Sequence, residues 1–525
     1  MYIARMKKAF IGLAGLLLVQ SFSSGAMASP SNNVNAFAST GSIVRVDTGK
    51  LVGTQNKSIF SFKGIPYAQA PVGQWRWREP QAVVAWKNIR SAKQFGNSCI
   101  QAPGLSVVSD AGDPGALSED CLYLNVWTPD VKSTAKLPVM VWIHGGALVF
   151  GSGSVVGYDG TSLARRGVVM VTINYRMGPL GFFSHPAIDA EKNGNAKNFG
   201  LLDQIAALNW VRKNISAFGG NPNNVTIFGE SAGAQSVLAL VASPKARGLF
   251  HKGIAQSSYG LPGHTLAKAR TVGIAVASAV GLNGAKASAA QLRAIPAVQF
   301  GKLPGRELTL APSFIVGDAA MPISILEAFQ KKQQAAVPLI IGSNSNEASV
   351  AVAFGVDPAN IIAELGKGKI LVKSLYPKVS SNTELGNQVM RDGVFTAFAR
   401  RISYLQSQRA PVWRYYFSYV QQGLRSSQTG VSHAGEIAFT MDTGTNCNCL
   451  KVPFSKSDQA MSKKMADSWV AFARSANPQI PQFPAWPKDG VKNDTLMEFS
   501  DTAIVRKKFM QPRLNTLILG LKAAD

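Results

Sequence analysis

Val225-Thr226-Ile227-Phe228-Gly229-Glu230-Ser231-Ala232-Gly233 begins as a strand and ends as a turn, and the rest of the chain is read outward from these residues. Val225–Phe228 is a short apolar run that suits a strand buried on both faces. Ala232–Val241 is rich in Ala, Leu and Val and suits a helix starting immediately afterwards. Between them lies a G-x-S-x-G element, and a strand before it with a helix after it is the context of a nucleophile elbow. The turn is too tight for side chains at Gly229 and Gly233. It lifts the Ser231 hydroxyl above the sheet at a helix N-terminus, where partial positive charge favours a developing oxyanion. A structural turn with the same letters is the competing reading, and the flanking elements favour the elbow.

A serine nucleophile needs donors for the tetrahedral oxygen. Val139–Ile143, another β-branched apolar run, leads into His144-Gly145-Gly146-Ala147, a glycine loop of the kind that turns backbone amides toward such a serine. Gly146 and Ala147 are the expected donors, with Ala232 as the third. Further out, Val168–Tyr175, Val337–Ile341 and Val412–Tyr419 read as strands, and Leu201–Ile215 and Asp458–Arg474 as helices packed on them. Ser42–Val46 and the segment around Leu51–Thr54 read as a hairpin turning at Asp47–Lys50. Strand–helix alternation implies an α/β protein, with a large, mostly parallel sheet covered on both faces. Residues 262 to 330 are Ala- and Leu-rich, read as helical, and are a candidate lid.

The first residues stand apart from this pattern. Arg5, Lys7 and Lys8 precede the apolar run Ala9–Val19, and a polar stretch ends in Ala26-Met27-Ala28. These are the parts of a secretory signal, too short in its core to span a bilayer, with cleavage expected after Ala28. A non-cleaved anchor is the alternative. Residues 29–525 are then expected to form one large domain with inserted subdomains, since no repeat, low-complexity tract or linker divides them. No later segment has the uncharged apolar length of a membrane span.

The net charge of +25 falls to +22 without Arg5, Lys7 and Lys8. The basic residues are scattered and no nucleic-acid-binding motif accompanies them, so a solvated basic surface is expected, with adhesion to acidic envelope material as the sharper alternative. The four cysteines all lie in the exported part, as suits an oxidising compartment. A bridge between Cys99 and Cys121 would close a loop worth about 3 kcal/mol. Cys447 and Cys449 flank one residue and are free, bridged locally or paired otherwise. No second ligand pair stands at metal-binding spacing, so neither a metal nor a cofactor is expected.

Taken together, the motifs resemble those of the type-B carboxylesterases, which include the cholinesterase-like enzymes, over nearly the whole exported length. The matching stretches run in family order. Phe62-Lys63-Gly64-Ile65-Pro66-Tyr67-Ala68 is followed by Ser118-Glu119-Asp120-Cys121-Leu122-Tyr123-Leu124-Asn125, Asn174-Tyr175-Arg176 and Gly200-Leu201-Leu202-Asp203-Gln204. Phe218-Gly219-Gly220-Asn221-Pro222 then leads into the serine segment. The resemblance implies an α/β-hydrolase fold with inserted helical caps and a catalytic order of Ser, Glu, His. Among His144, His185, His251, His264 and His433, the segment Val431-Ser432-His433-Ala434-Gly435-Glu436 looks like the family's histidine segment. Gly342-Ser343-Asn344-Ser345-Asn346-Glu347 is similar to its acidic motif, with Asp318 as the weaker substitute for Glu347. The family's first disulfide matches Cys99 and Cys121; its second has no counterpart here.

The expected roles follow from chemistry. Ser231 is a poor nucleophile at its own pKa, so His433 takes its proton and later returns one to the leaving alcohol. Glu347 fixes the imidazole tautomer and stabilises the imidazolium. An unperturbed imidazole would give an acid limb near pH 6.5. Where the family often has a third glycine stands Ala147, whose methyl narrows the approach. Residues 100–120 hold no aromatic residue, which argues against a choline ester, because the cholinesterases use a tryptophan there. The expected substrate is a small carboxylic ester with a short to medium acyl chain or an aromatic group. Amide, carbamate or lactone hydrolysis on the same site is the runner-up, and a non-catalytic adhesion module of the same fold is the alternative from another class.

Overall fold

The computed structural model describes residues 42–102, 112–191, 195–366, 368–445, 447 and 450–522. The expected signal segment and its cleavage point lie outside these residues. Eleven strands form the central sheet: β1 (Thr54–Asn56), β2 (Ile59–Pro66), β3 (Tyr123–Thr128), β4 (Leu137–Ile143), β5 (Val169–Ile173), β6 (Gly220–Glu230), β7 (Lys252–Gln256), β8 (Leu339–Asn344), β9 (Val412–Phe417), β10 (Thr495–Phe499) and β11 (Ala503–Lys507). Their spatial order is β11-β10-β9-β8-β7-β6-β4-β5-β3-β2-β1. The run from β10 to β5 is parallel throughout, and the strands outside it pair antiparallel.

Alternation along the parallel strands builds a core on each face of the sheet. Val139, Val141 and Ile143 of β4 join one apolar cluster, while Met140 and Trp142 join the other. Helices α1 (Phe199–Asn214), α2 (Ala232–Ala242) and α3 (Ala397–Gln406) contribute to the first cluster through residues such as Leu208, Val237 and Ile402. Helix α4 (Lys456–Ser475) covers the other face with Met465, Trp469 and Phe472. Ser455 and Asp458 start α4 with a reciprocal capping box, so its first turn needs no outside help.

The hairpin expected near the N-terminus is present as Ile43–Val46 paired with Gly49–Val52. Between 262 and 330 there are helices at Leu266–Ala279, Ala289–Ala294, Ala297–Gly301, Arg306–Thr309 and Ile325–Gln330. A further helical insert follows Glu347: Ser349–Ala353, Pro358–Glu364, Gly368–Leu375 and Asn382–Met390. Its own apolar cluster holds Ile362, Leu365, Val372, Tyr376 and Leu385. Cys99 and Cys121 are joined in a disulfide with Cα atoms 4.9 Å apart. Cys447 is also disulfide-bonded, and Cys449 lies outside the described residues.

Candidate active site

The candidate residues gather at the carboxyl ends of the parallel strands, where open α/β sheets favour a site. At the end of β6, Ser231 has φ 56° and ψ −122°, a conformation foreign to most side-chain-bearing residues. Its neighbours explain why the turn holds. A Cβ on Gly229 would come within 2.5 Å of the Ile143 carbonyl oxygen, and one on Gly233 within 2.0 Å of the same oxygen. Both glycines are therefore required by close backbone approach. The Ser231 amide donates to the Gln256 carbonyl at 2.9 Å, tying the elbow to β7.

The glycine loop expected to supply the oxyanion donors leaves β4. Gly146 has φ 102° and Ala147 φ 52°, and the Gly146 carbonyl accepts the amides of Val149 and Phe150 at 2.9 and 3.0 Å. Among the described residues, the amides of Gly146 and Ala147 have no acceptor. Ala232, as the first residue of α2, has no intrahelical acceptor either. Gln101 braces the loop's far end by exchanging hydrogen bonds of 2.9 and 3.0 Å with Gly151. His144 stacks on Tyr175 at 4.4 Å and lies in the core, where burial pushes its pKa down to about 4. It is a neutral structural ring.

The acid and the histidine come from loops after β8 and β9 that are stitched together. The Asn346 amide donates to the Val431 carbonyl at 2.8 Å, Asn344 Nδ2 to the Ser432 carbonyl at 3.0 Å, and the His433 amide to the Ser349 hydroxyl at 2.8 Å. The His433 ring donates from Nδ1 to Oε2 of Glu347 at 2.5 Å, and the backbone amide of Asn344 holds the other oxygen of Glu347 at 2.6 Å. On its other side, Nε2 of His433 lies 3.1 Å from Oε1 of Glu230, the residue immediately before the serine. Nε2 makes no aligned hydrogen bond, to Ser231 or to any other described group. Before a substrate binds, such contacts are often loose.

Sequence reasoning missed the two further carboxylates. Glu230 and Glu436 are both buried, which makes three acids around one imidazole. Glu436 accepts from Asn344 Nδ2 at 2.5 Å and from Gln256 Nε2 at 3.2 Å, and Trp469 Nε1 in turn holds Gln256 at 2.9 Å. Burial pushes Glu230 up to about 8 against the charge of His433, with Glu436 and Glu347 adding to the rise. Burial raises Glu436 too, aided by Glu347. Burial alone would lower His433, but the charges of Glu230, Glu347 and Glu436 and the Glu347 hydrogen bond push it up to about 9. Both residues were in view, one inside the G-x-S-x-G letters and the other three positions after the histidine. The signal available was their acidity next to the expected reacting groups.

The remaining candidates serve elsewhere. Asp318 accepts the backbone amides of Lys197, Asn198, Ala320 and Met321, so its carboxylate is spent on a turn. His185 caps a short helix and contacts the Gly284 carbonyl at 3.0 Å, and His251 accepts the Val225 amide at 3.1 Å. His264 sits in a two-residue strand paired with Ile315–Val316, where burial lowers its pKa.

Comparison with known proteins gives the family and the fold. The model of the carboxylesterase family matches residues 40–385 and 371–517. Over 468 residues the chain is 34% identical to a para-nitrobenzyl esterase of Bacillus subtilis, covering 85% of this chain and 92% of that one. It is 32% identical to a fumonisin B1 esterase of Sphingopyxis macrogoltabida, over 84% of this chain and 83% of the relative. Among solved structures, a thermophilic PNB esterase superposes with a TM-score of 0.79 at 30% identity, covering 91% of this chain and 100% of the other.

Proposed function

We propose that this chain, which belongs to the carboxylesterase family and hydrolyses carboxylic esters, does so through an acyl-enzyme on Ser231, with His433 as the base and Glu347 as its orienting acid. The observation that carries the proposal is the hydrogen bond between His433 Nδ1 and Glu347, beside a serine held at an elbow. That bond fixes the tautomer, so Nε2 is left as the atom that accepts a proton.

In the acylation step, Ser231 Oγ attacks the ester carbonyl while its proton passes to Nε2 of His433. The carbonyl oxygen becomes negative between the amides of Gly146, Ala147 and Ala232, each worth about 3 kcal/mol of transition-state stabilisation. Collapse expels the alcohol, which takes the proton from Nε2. Water then enters, gives a proton to Nε2 and attacks the acyl carbon, and the acid leaves as Ser231 recovers its proton. The carboxylates around His433 favour its charged form, so the acid limb of the pH–rate profile is placed above 6.5.

The preferred substrates are esters with short to medium acyl chains or aromatic groups, a reading supported by the name of the para-nitrobenzyl esterase to which the chain is similar. Export before action is supported by the signal pattern ahead of residue 29 and by the Cys99–Cys121 disulfide. Among the described residues no helix is long and apolar enough to cross a membrane. The test is a side-by-side assay of p-nitrophenyl butyrate and the matching p-nitroanilide with wild type and Ser231→Ala. Rapid ester turnover, little anilide turnover and loss of both in the variant are expected. Faster cleavage of the anilide would replace the esterase reading with an amidase, and unchanged turnover in Ser231→Ala would end the serine mechanism.

A further inference from the structure

Just before α3 the chain makes an irregular turn over Arg391–Thr396, in which the Ala397 amide bonds back five residues to the Asp392 carbonyl. Such π-helical turns insert an extra residue into a helix and are rare, and they persist where surrounding contacts over-determine them, often at functional sites. Here the contacts are numerous and come from separate parts of the fold. Asp392 is fully buried and accepts Arg391 Nε at 2.7 Å and Tyr376 Oη at 3.0 Å, and it pairs with Arg513 Nε at 2.9 Å. Tyr376 belongs to the helical insert and Arg513 to the last described helix, Gln511–Lys522. The Thr396 hydroxyl meets that of Ser343 on β8 at 3.1 Å, and the Val394 carbonyl accepts the Gly260 amide at 2.8 Å.

The product of all this bracing is the position of one ring. Phe395 is buried, its centroid 5.2 Å from that of the His433 imidazole and 6.3 Å from that of Tyr259. The carboxylates of Glu230, Glu347 and Glu436 approach the imidazole from β6, from the loop after β8 and from its own loop. The Phe395 ring, tilted 58° to the imidazole, is an apolar neighbour beside these acids. A ring at this distance does two things for an imidazole that must gain and lose a proton. It restrains the turning of the imidazole by filling the space beside it, and it lies within the roughly 6 Å over which an aromatic ring stabilises a cation such as the imidazolium formed during attack.

We infer that Phe395, held by the π-helical turn, is a positioning residue for the general base, and that Asp392 locks the turn from behind. The inference rests on the proposed role of His433. It adds that a side chain with no part in proton transfer sets both the orientation of that ring and the ease with which it carries charge.

The experiment compares Phe395→Leu and Phe395→Tyr with wild type in the full-length protein, reading kcat, KM and the pH dependence of kcat/KM on p-nitrophenyl butyrate. Phe395→Leu is expected to lower kcat roughly tenfold with KM within about twofold, as a misplaced catalytic group does. Its acid limb is expected to move down by about half a pH unit, the shift that corresponds to loss of an aromatic–cation contact. Phe395→Tyr keeps the ring and should keep the limb. An unmoved limb with unchanged kcat in Phe395→Leu overturns the inference. So does a change in KM alone, which would make the ring part of the substrate pocket. If Phe395→Leu does not fold, Phe395→Met is read in the same way. Fluorophosphonate labelling of Ser231 in every variant separates failure of this inference from failure of the serine mechanism, which would abolish labelling in wild type as well.

Discussion

Two clusters of buried charge sit in this molecule, and they are built to opposite rules. Arg400 of α3 and Arg414 of β9 face Asp489 and Asp494, two cations against two anions, all nearly inaccessible to solvent. Every carboxylate oxygen there has a donor: Asp489 takes Thr495 N at 2.9 Å and Ser403 Oγ at 2.6 Å, and Asp494 takes Arg414 Nη2 and Arg400 Nη2, each at 2.8 Å. Around His433, three carboxylates meet one imidazole, so the anionic groups outnumber the cation. In the first cluster burial would raise Asp494, but hydrogen bonds from Arg400 and Tyr404 and the charge of Arg414 hold it below the usual range. In the second, burial drives Glu230 up to about 8. Balanced burial makes a clamp. Unbalanced burial makes a group ready to exchange a proton.

The largest expected difference between the clusters is in activity. His433→Ala should cost kcat about 10⁴-fold or more, because groups that act as a unit fail together. Arg414→Ala should act on stability and not on turnover. Removing one partner from a buried ion pair leaves an uncompensated charge, worth about 3–5 kcal/mol of stability, while kcat per folded molecule stays level. Denaturant titration beside active-site titration measures both, and a loss of kcat in Arg414→Ala would erase the distinction. Opening the 22-residue disulfide loop by Cys99→Ser with Cys121→Ser falls next, at about 3 kcal/mol, read in the same titration.

Smaller effects separate the clusters by pH. Glu230 is raised from 4.5 to about 8 in the folded state, so the stability tied to its proton is full below 4.5 and lost as pH rises toward 8. His433, raised to about 9, contributes stability below 6.5 that disappears as pH passes 9. Asp494 has the opposite sign, contributing above its unfolded pKa and losing that contribution in acid. Denaturation midpoints at pH 4, 6 and 9 should therefore fall less steeply toward alkali in Glu230→Gln than in wild type. A slope identical to that of wild type would refute the assignment. Least of all, Glu436→Gln removes one of the charges that raise His433, and should move the acid limb of kcat/KM downward.

Much of the fold was legible because its signals are local. Val139–Ile143, Val168–Tyr175 and Val412–Tyr419 are β-branched or aromatic runs, and the structure has strands at 137–143, 169–173 and 412–417. The helix read at Asp458–Arg474 runs from Lys456 to Ser475. β7 was missed because Lys252-Gly253-Ile254-Ala255-Gln256 is polar at both ends and carries little β propensity, and only its neighbours on both sides make it a strand. The helices after Glu347 were missed for a related reason. They bury small clusters against one another, so no long apolar period marks them. At the site, Ser231, His433 and Glu347 were read from motifs. Glu230, Glu436 and Phe395 come near His433 only through the fold, and spacing along the chain does not encode that approach.

The central claim is that the hydroxyl of Ser231 is activated by His433. It is tested most directly by intact-mass and peptide mapping after reaction with a fluorophosphonate. The account predicts a single adduct on the peptide carrying Ser231 in wild type, and labelling slowed by orders of magnitude in His433→Ala. An adduct on another residue, or equal labelling rates in wild type and His433→Ala, would contradict it.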